Sequence, residues 1–498
     1  MMLKEDHNSN QVITFGCRLN SFESETIKQA INQSGEKNLI VFNSCAVTAK
    51  ADKDLKISLR KIRKNNPDAK IVVTGCAAQI DPQKYAIMPE VDLVLGNVEK
   101  SKFENYQNIE KSKNLLNKIS NHQILNVETQ NNKIVDEFSN HQKNQVKPDQ
   151  NHHQDRIFFQ ELSNQNKLNN LADLNKIKVN DIMSIRDTAP QLVSYFENQT
   201  RAFLEIQNGC NHRCTFCIIP YGRGNSRSVG VGEIIEQSKK MVNNGHQEIV
   251  LTGVDISDYG KDLPSPLTLA QMIKKLLKFV PDLNRLRLSS IDVAELDDEF
   301  LEILKYENRL MPYLHISAQS GDDLILKRMK RRHNRQQLLD FCSKAREIRP
   351  EITFGADLIA GFPTEDDQMF ENSLKLISQA DLIFTHIFPY SPRLGTPASK
   401  MKQLDYKIIK ERTKILRQAG EKQLEKYLAN QVGKNFEILV EKNNRGKTTN
   451  FLNATLKGNS DLLTKNNSYE LSTTLQENSL IQVKAVDYNQ KELIVNLV

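Results

Sequence analysis

Six of the seven cysteines fall into two triples, and the chemistry of the chain is read first from them. Cys210, Cys214 and Cys217 share one short run, NGCNHRCTFCIIPYGRG (208–224). Cys17, Cys45 and Cys76 lie far apart, each closing a short apolar run. Three thiolates in one loop can hold an iron–sulfur cubane by three irons and leave the fourth open to another ligand. A second triple brought together by folding can do the same. Two incompletely ligated clusters would point to redox chemistry on bound molecules rather than to electron storage alone. Disulfides and zinc are the competing readings. The start, MMLKEDHNSNQ, has no apolar core or cleavage site, and these thiols belong to no small secreted scaffold, which suits a reducing cytoplasm. Structural zinc wants four ligands in paired knuckles. Near the tight triple the fourth ligand would be His212, which sits between the cysteines without a partner at knuckle spacing.

The elements that must carry these residues can be read from periodicity. Over residues 11–100, the apolar β-branched runs Gln11–Phe15, Leu39–Asn43 and Lys70–Thr74 alternate with helical stretches, Ser21–Ser34 and Asp52–Asn65. This is the pattern of parallel βαβ units. ITFGC, VFNSC and VVTGC each put a small residue and then the thiol just past a strand. Ligands of open parallel sheets bind off the carboxyl ends of the strands, so the three cysteines can converge there. The alternative is three buried cysteines packing as small apolar residues.

Residues 101–178 change in kind, being rich in Asn, Gln, Lys, Ser and His. Such a segment buries too little apolar surface to offset its ordering entropy and reads as a flexible insert, in which His152 and His153 belong to a polar tract. The βα rhythm returns with six candidate strands, Ala202–Gln207, Glu248–Thr252, Arg285–Ser289, Tyr313–Ser317, Thr353–Leu358 and Phe384–Phe388. Helices between them imply a partial (β/α)6 barrel with its active site at the carboxyl ends of the strands. A long basic helix, Asp405–Asn430, then leads into short β-like pieces from residue 432, read as a small antiparallel β-barrel. The expected division is 1–100, 101–178, 179–431 and 432–498, in an α/β chain whose N-terminal domain is an open parallel sheet.

Further segments fit a ligand pocket at the barrel mouth. LTGVDISDYG (251–260) offers Gly253 for close backbone approach and Asp255 as a candidate partner for a ribose or an ammonium. SAQSGDD (317–323) places Gln319 and Ser320 at a strand end, and ADLIAGFPTE (356–365) contributes Gly361. LKRMKRRHNR (326–335) reads either as a phosphate-binding patch or as a solvated helix face. The net charge of +7 leans towards an anionic partner without naming one. Cys342, among Leu338, Leu339 and Phe341, reads as core packing. No stretch approaches the roughly 20 apolar residues of a membrane helix.

CxxxCxxC with Phe216 just before the last cysteine resembles the radical S-adenosylmethionine enzymes. In that superfamily the open iron is chelated by S-adenosyl-L-methionine, whose reductive cleavage yields a 5′-deoxyadenosyl radical. Nearly the whole chain apart from the insert resembles the methylthiotransferases: a three-cysteine domain, a radical S-adenosylmethionine barrel and a TRAM domain. GCRLNSFESE (16–25), NSCAVTAKAD (43–52) and GCNHRCTFCIIPYGRGNSRS (209–228) look like the branch acting on N6-threonylcarbamoyladenosine in tRNA. The isopentenyladenosine branch usually has Gln-Met at Arg18-Leu19, and the branch modifying a ribosomal-protein aspartate has Pro-Lys.

The resemblance implies two [4Fe–4S] clusters, on Cys210/Cys214/Cys217 and on Cys17/Cys45/Cys76, the second carrying the sulfur to be inserted. It places Phe216, Gly253, Asp255, Gln319, Ser320 and Gly361 around S-adenosyl-L-methionine. It also implies as partners the anticodon stem-loop of tRNA, an electron donor such as flavodoxin or ferredoxin, and a sulfur donor.

Overall fold

The computed structural model describes residues 9–109, 176–186, 200–457 and 476–498. The chain divides into two compact units, Met1–Ile182 and Met183–Val498. In the first, β1 (Gln11–Thr14), β2 (Leu39–Ser44), β3 (Lys70–Gly75), β4 (Leu93–Leu95) and β5 (Ile177–Lys178) form a parallel sheet in sequence order. The helix Arg18–Ser34 sets Ile27, Ala30 and Ile31, spaced for one helical face, against Val41, Val72 and Leu95. It stops at Gly35, whose φ of 71° is the left-handed conformation that ends many helices. The helix Ala49–Asn65 starts at Thr48, whose hydroxyl accepts the Ala51 N–H at 3.1 Å.

Both edges of the expected insert belong to this unit. Tyr106, in the turn Phe103–Tyr106, and Ile109 are buried in its core, so apolar anchors extend the domain past residue 100. At the other end the open edge of β4 is paired: Val94 N–H donates to the Lys176 carbonyl at 2.7 Å, and Ile177–Lys178 become the fifth strand. A two-residue strand behind a polar tract leaves no periodic signal. The remainder of the insert, with His152 and His153, lies outside the described residues.

The second unit begins with β6 (Arg201–Glu205), β7 (Gln207–Asn208) and β8 (Arg227–Ser228). There follow β9 (Glu248–Thr252), β10 (Arg285–Leu288), β11 (Tyr313–Gln319), β12 (Thr353–Ala360) and β13 (Leu382–Pro389). Six strands are parallel, as β6–β9–β10 and β11–β12–β13, and bridges at Leu286–Leu310 and Ile291–Ile316 join the halves into the expected partial barrel. The first strand differs from expectation. The ladder ends at Glu205, and Gln207–Asn208 turns away to pair antiparallel with Arg227–Ser228. That hairpin closes the loop carrying Cys210, Cys214 and Cys217.

After the helix Tyr406–Ala429 come β14 (Asn435–Glu441), β15 (Arg445–Thr448), β16 (Asn453–Leu456), β17 (Leu480–Tyr488) and β18 (Leu493–Leu497), a closed five-stranded barrel. The antiparallel expectation fails at one seam, where β16 and β18 run parallel. The reason is parity, since an odd number of strands cannot alternate direction around a closed ring. The polar β15, RGKT, escaped the apolar pattern altogether.

This barrel packs on the amino-terminal ends of the central strands. Buried Arg287 donates to the carbonyls of Thr448 and Thr449, each at 2.8 Å, and buried Arg285 donates to Glu437 at 2.8 Å. Phe451 stacks on Tyr313 with ring centroids 4.2 Å apart. Lys447 lies 4.0 Å above the same Phe451 ring. Its burial, together with the nearby Arg201 and Arg287 charges, pushes the Lys447 ammonium down to about 7. The unfolded chain therefore holds more protons than the folded one between about pH 7 and 10, and stability rises with pH across that window. Lys447→Met should flatten that slope in urea melts of the full chain, without loss of stability at neutral pH.

Candidate active site

In the first unit, in-register pairs Thr14–Asn43 and Ser44–Gly75 bring the ends of three adjacent strands level. Cys17 caps the helix Arg18–Ser34, Cys45 follows β2, and Cys76 opens the short helix Cys76–Ile80. The glycines before two of these cysteines have structural causes. Gly16 has φ 106°, and a Cβ there would stand 2.7 Å from the Cys45 Cβ. Gly75 has φ 93°, and a Cβ there would stand 2.4 Å from the Ser44 carbonyl oxygen. Only glycine allows both the backbone conformation and the approach. Buried Asn20 ties the loops together by donating to the carbonyls of Phe15 (2.7 Å) and Ser44 (3.1 Å). Cys17 is exposed while Cys45 and Cys76 are buried, so the triple has one side open to solvent.

In the second unit the tight triple sits at the carboxyl end of the barrel. Buried Gln207 organises it. Its Nε2 donates to the Gly209 carbonyl at 2.7 Å and to Ser226 Oγ at 2.9 Å, while its Oε1 accepts the N–H groups of Val254 (3.0 Å) and Asp255 (2.9 Å). One side chain thus fixes the cysteine loop to the loop after β9. Gln207→Leu should strand the buried Gly209 carbonyl and the half-buried N–H groups of Val254 and Asp255, at up to about 1–3 kcal/mol each. The expected outcome is a lower melting temperature with selective loss of iron from this triple, measured by calorimetry and metal analysis. Gly253 packs directly on Gln207, whose carbonyl oxygen would lie 2.6 Å from an added Cβ.

Cys210 Sγ lies 3.8 Å from Asp255 Oδ2, and Arg331 Nη1 reaches Cys214 Sγ at 3.6 Å. Burial, then the Asp255 charge, raises the Cys210 thiol far above its ordinary range, and burial pushes Cys217 up to about 12. These shifts reflect the cost of desolvating thiolate charge, which coordination to iron would offset. Among the described residues neither cysteine triple closes to within 4.8 Å, the compact spacing that would suit a single ion. The donor set, three thiols per site, fits a [4Fe–4S] cluster with one iron left for a small-molecule ligand.

Residues 204–377 match the model of the Radical SAM superfamily, and residues 10–96 match that of an uncharacterized protein family, UPF0004. The two matches contain the two cysteine triples. A threonylcarbamoyladenosine tRNA methylthiotransferase of Rickettsia prowazekii is 48% identical over 442 residues, covering 89% of this chain and 90% of that protein. The chain belongs to the radical S-adenosylmethionine methylthiotransferase family. A protein of the same description from Aquifex aeolicus is 32% identical, covering 89% of this chain and 96% of its own length. A tRNA-2-methylthio-N(6)-dimethylallyladenosine synthase of Clostridium botulinum is more distant, 27% identical over 89% of this chain and 88% of its own. This methylthiotransferase is therefore an enzyme of [4Fe–4S] and S-adenosyl-L-methionine chemistry. No helix among its described residues is long and apolar enough to cross a membrane.

The remaining expected site residues divide in the structure. Asp255 stands at the tight triple, 3.1 Å from Arg332 and 3.6 Å from His212. Phe216 packs edge-on to Phe362 with centroids 6.5 Å apart, on a cluster that includes Ile325, Met329 and Tyr390. Gln319, at φ 67°, ends β11. Ser320 and Gly361 make packing contacts that shape their loops. Buried Ser320 bonds Ser373 Oγ (3.3 Å) and accepts Asp322 N–H (3.2 Å). Gly361 leaves room for Ile409 of the long helix, 2.6 Å from where a Cβ would be. Cys342 is wholly buried, as expected.

The basic run 326–335 divides: Lys327 and Lys330 are exposed, while Arg331, Arg332, His333 and Arg335 turn to internal partners. Arg331 donates to Asp292 (2.8 Å) and to the Ser317 carbonyl (2.9 Å). Arg332 bonds Asp255 and Glu295, His333 bonds Asp292 at 3.1 Å, and Arg335 donates to the carbonyls of Gly321 and Asn372. Burial opposes ionisation of Asp292, but the His333 hydrogen bond and the Arg331 and Arg332 charges overcome it and hold its carboxyl well below the usual range. Arg331 and Arg332, with His333, are engaged in an internal ion network with Asp255, Asp292 and Glu295 that braces the cysteine loop. Asp292 is the partner that sequence reasoning did not name, and Arg331 was legible only as one charge of the basic run.

Proposed function

We propose that this enzyme converts N6-threonylcarbamoyladenosine beside the anticodon of tRNA to its 2-methylthio derivative. The observation that carries the reading is the pair of cysteine triples at strand carboxyl ends in a chain 48% identical to a methylthiotransferase of that substrate. Cys210, Cys214 and Cys217 hold one [4Fe–4S] cluster, and Cys17, Cys45 and Cys76 hold a second that carries the transferred sulfur. With S-adenosyl-L-methionine bound, the first supplies a hydrogen-abstracting radical able to act on an adenine C–H that no side-chain base can ionise.

The chain's own residues position these groups. Gln207 and Gly253 hold the loop after β9 against the cysteine loop, Asp255 faces Cys210, and Arg331 joins Cys214 to Asp292. Phe216, Gln319, Ser320 and Gly361 complete the proposed cofactor surroundings, the last two by shaping loops. The three-cysteine domain runs through Ile109 and is completed by 176–182, with the insert between; 183–431 form the radical barrel, and 432–498 form a TRAM-like domain that grips tRNA. Reductant from a flavodoxin or ferredoxin and a separate sulfur donor complete turnover in the cytoplasm.

The test is reaction of anaerobically reconstituted enzyme, S-adenosyl-L-methionine and dithionite with tRNA bearing either threonylcarbamoyladenosine or isopentenyladenosine. The expected result is methylthio product from the first alone. Product from the second alone would overturn the substrate assignment.

A further inference from the structure

A further cluster of metal-binding side chains includes none of the six cysteines. His315 of β11, Asp357 of β12 and His386 of β13 stand on three adjacent parallel strands, and Asp357 and His386 are direct register partners. Their ligand atoms all lie within 4.8 Å of one another. His315 Nε2 is 3.0 Å from Asp357 Oδ1, and His386 Nδ1 is 3.3 Å from the same oxygen. Zinc bonds of about 2.0–2.2 Å place tetrahedral ligand atoms roughly 3.3 Å apart, so each histidine already stands near that spacing from the Asp357 oxygen, and the two imidazoles lie within 4.8 Å of each other.

The surroundings are built for this arrangement. The second nitrogen of His315, Nδ1, is engaged by the Tyr313 hydroxyl at 2.8 Å, which fixes the ring and directs Nε2 at Asp357. Orientation of a ligating imidazole through its other nitrogen is the usual support of a metal site. Gly355, the register partner of His315, makes room for both groups: a Cβ there would be 2.5 Å from His315 Nδ1 and 2.6 Å from the Tyr313 oxygen. Tyr313 is itself clamped by its stack on Phe451, so the support rests on rigid elements. Access is equally specific, since His315 is buried while the His386 side chain is 59% exposed.

We infer that His315, Asp357 and His386 form a binding site for one divalent transition-metal ion, distinct from the iron–sulfur ligands. Two imidazoles and one carboxylate suit zinc, iron(II), cobalt(II) or nickel(II) and leave coordination positions for water or another oxygen ligand on the exposed side of His386.

Full-length protein with both iron–sulfur sites reconstituted, washed with a mild chelator and equilibrated with micromolar Zn²⁺, tests this by elemental analysis of zinc and iron. The expected result is about one zinc per chain beyond the iron, with His386→Ala weakening zinc binding at least about tenfold and leaving iron unchanged. His386 is exposed, so its variant should fold, and unchanged iron verifies that it has. Asp357→Asn, a near-isosteric change, should lose zinc likewise. Wild-type protein with full iron and no zinc, or His386→Ala holding as much zinc as wild type, would overturn the assignment.

Discussion

Cys214→Ala should abolish 5′-deoxyadenosine formation and lower iron from about eight to about four per chain, whereas Cys45→Ala should lose the same iron yet keep that activity. The contrast follows from where the residues sit. Cys214 belongs to the loop closed by the β7–β8 hairpin, within the unit that carries the whole parallel barrel. Cys45 lies at the end of β2 in the other unit, whose sheet, core and loop hydrogen bonds are its own. Each triple supplies only three thiols, so one lost ligand leaves two, too few to retain a cubane. Methylthio product should be absent from both variants. Measured together, iron, 5′-deoxyadenosine and product separate radical generation from sulfur transfer. Methylthio product from Cys45→Ala at the wild-type rate would refute that division of labour.

Gly209→Ala should be nearly as damaging, although it touches no ligand atom. Gly209 has φ 73°, and a Cβ there would lie 1.9 Å from the Asn225 carbonyl oxygen. The left-handed conformation alone costs an L-residue about 1–2 kcal/mol. The collision adds more, because the opposing atom is backbone in the bend just before β8 and cannot rotate away as a side chain could. Relief requires opening the hairpin, which breaks the hydrogen bond from Cys210 N–H to the Gly224 carbonyl at 3.0 Å. The expected outcome is loss of the tight triple's iron, about four per chain, with the other triple's iron retained. Gly245→Ala is the control: φ is 90° there, but nothing lies within 4 Å of the added Cβ. It should pay only the conformational cost and keep all its iron. Equal iron in the two variants would show that the Gly209 approach is unimportant.

What could be read from sequence, and what could not, follows the range of the interactions. Strand positions were legible because apolar runs and Gly–Cys junctions are local; Glu248–Thr252 has the same bounds in sequence and structure. The convergence of Cys17, Cys45 and Cys76 on one sheet edge followed from parallel topology. The pairing of Arg332 within the basic run was not legible because its carboxylates, Asp292, Glu295 and Asp255, are supplied from other loops, 37 to 77 residues away. Charge in a sequence window does not reveal whether it is already neutralised. β5 and β15 were missed because one is two residues long and the other is polar. The His315–Asp357–His386 set was invisible for a related reason: each member sits alone on its strand, and only the register brings them together.

The most direct measurement is nucleoside mass spectrometry of total tRNA from cells lacking this gene, complemented with wild type or with Cys45→Ala. The expected result is that 2-methylthio-N6-threonylcarbamoyladenosine disappears in the mutant, its unthiolated precursor accumulates, and only wild type restores it. An unchanged level of that nucleoside in the mutant, with no rise in the precursor, would contradict the account.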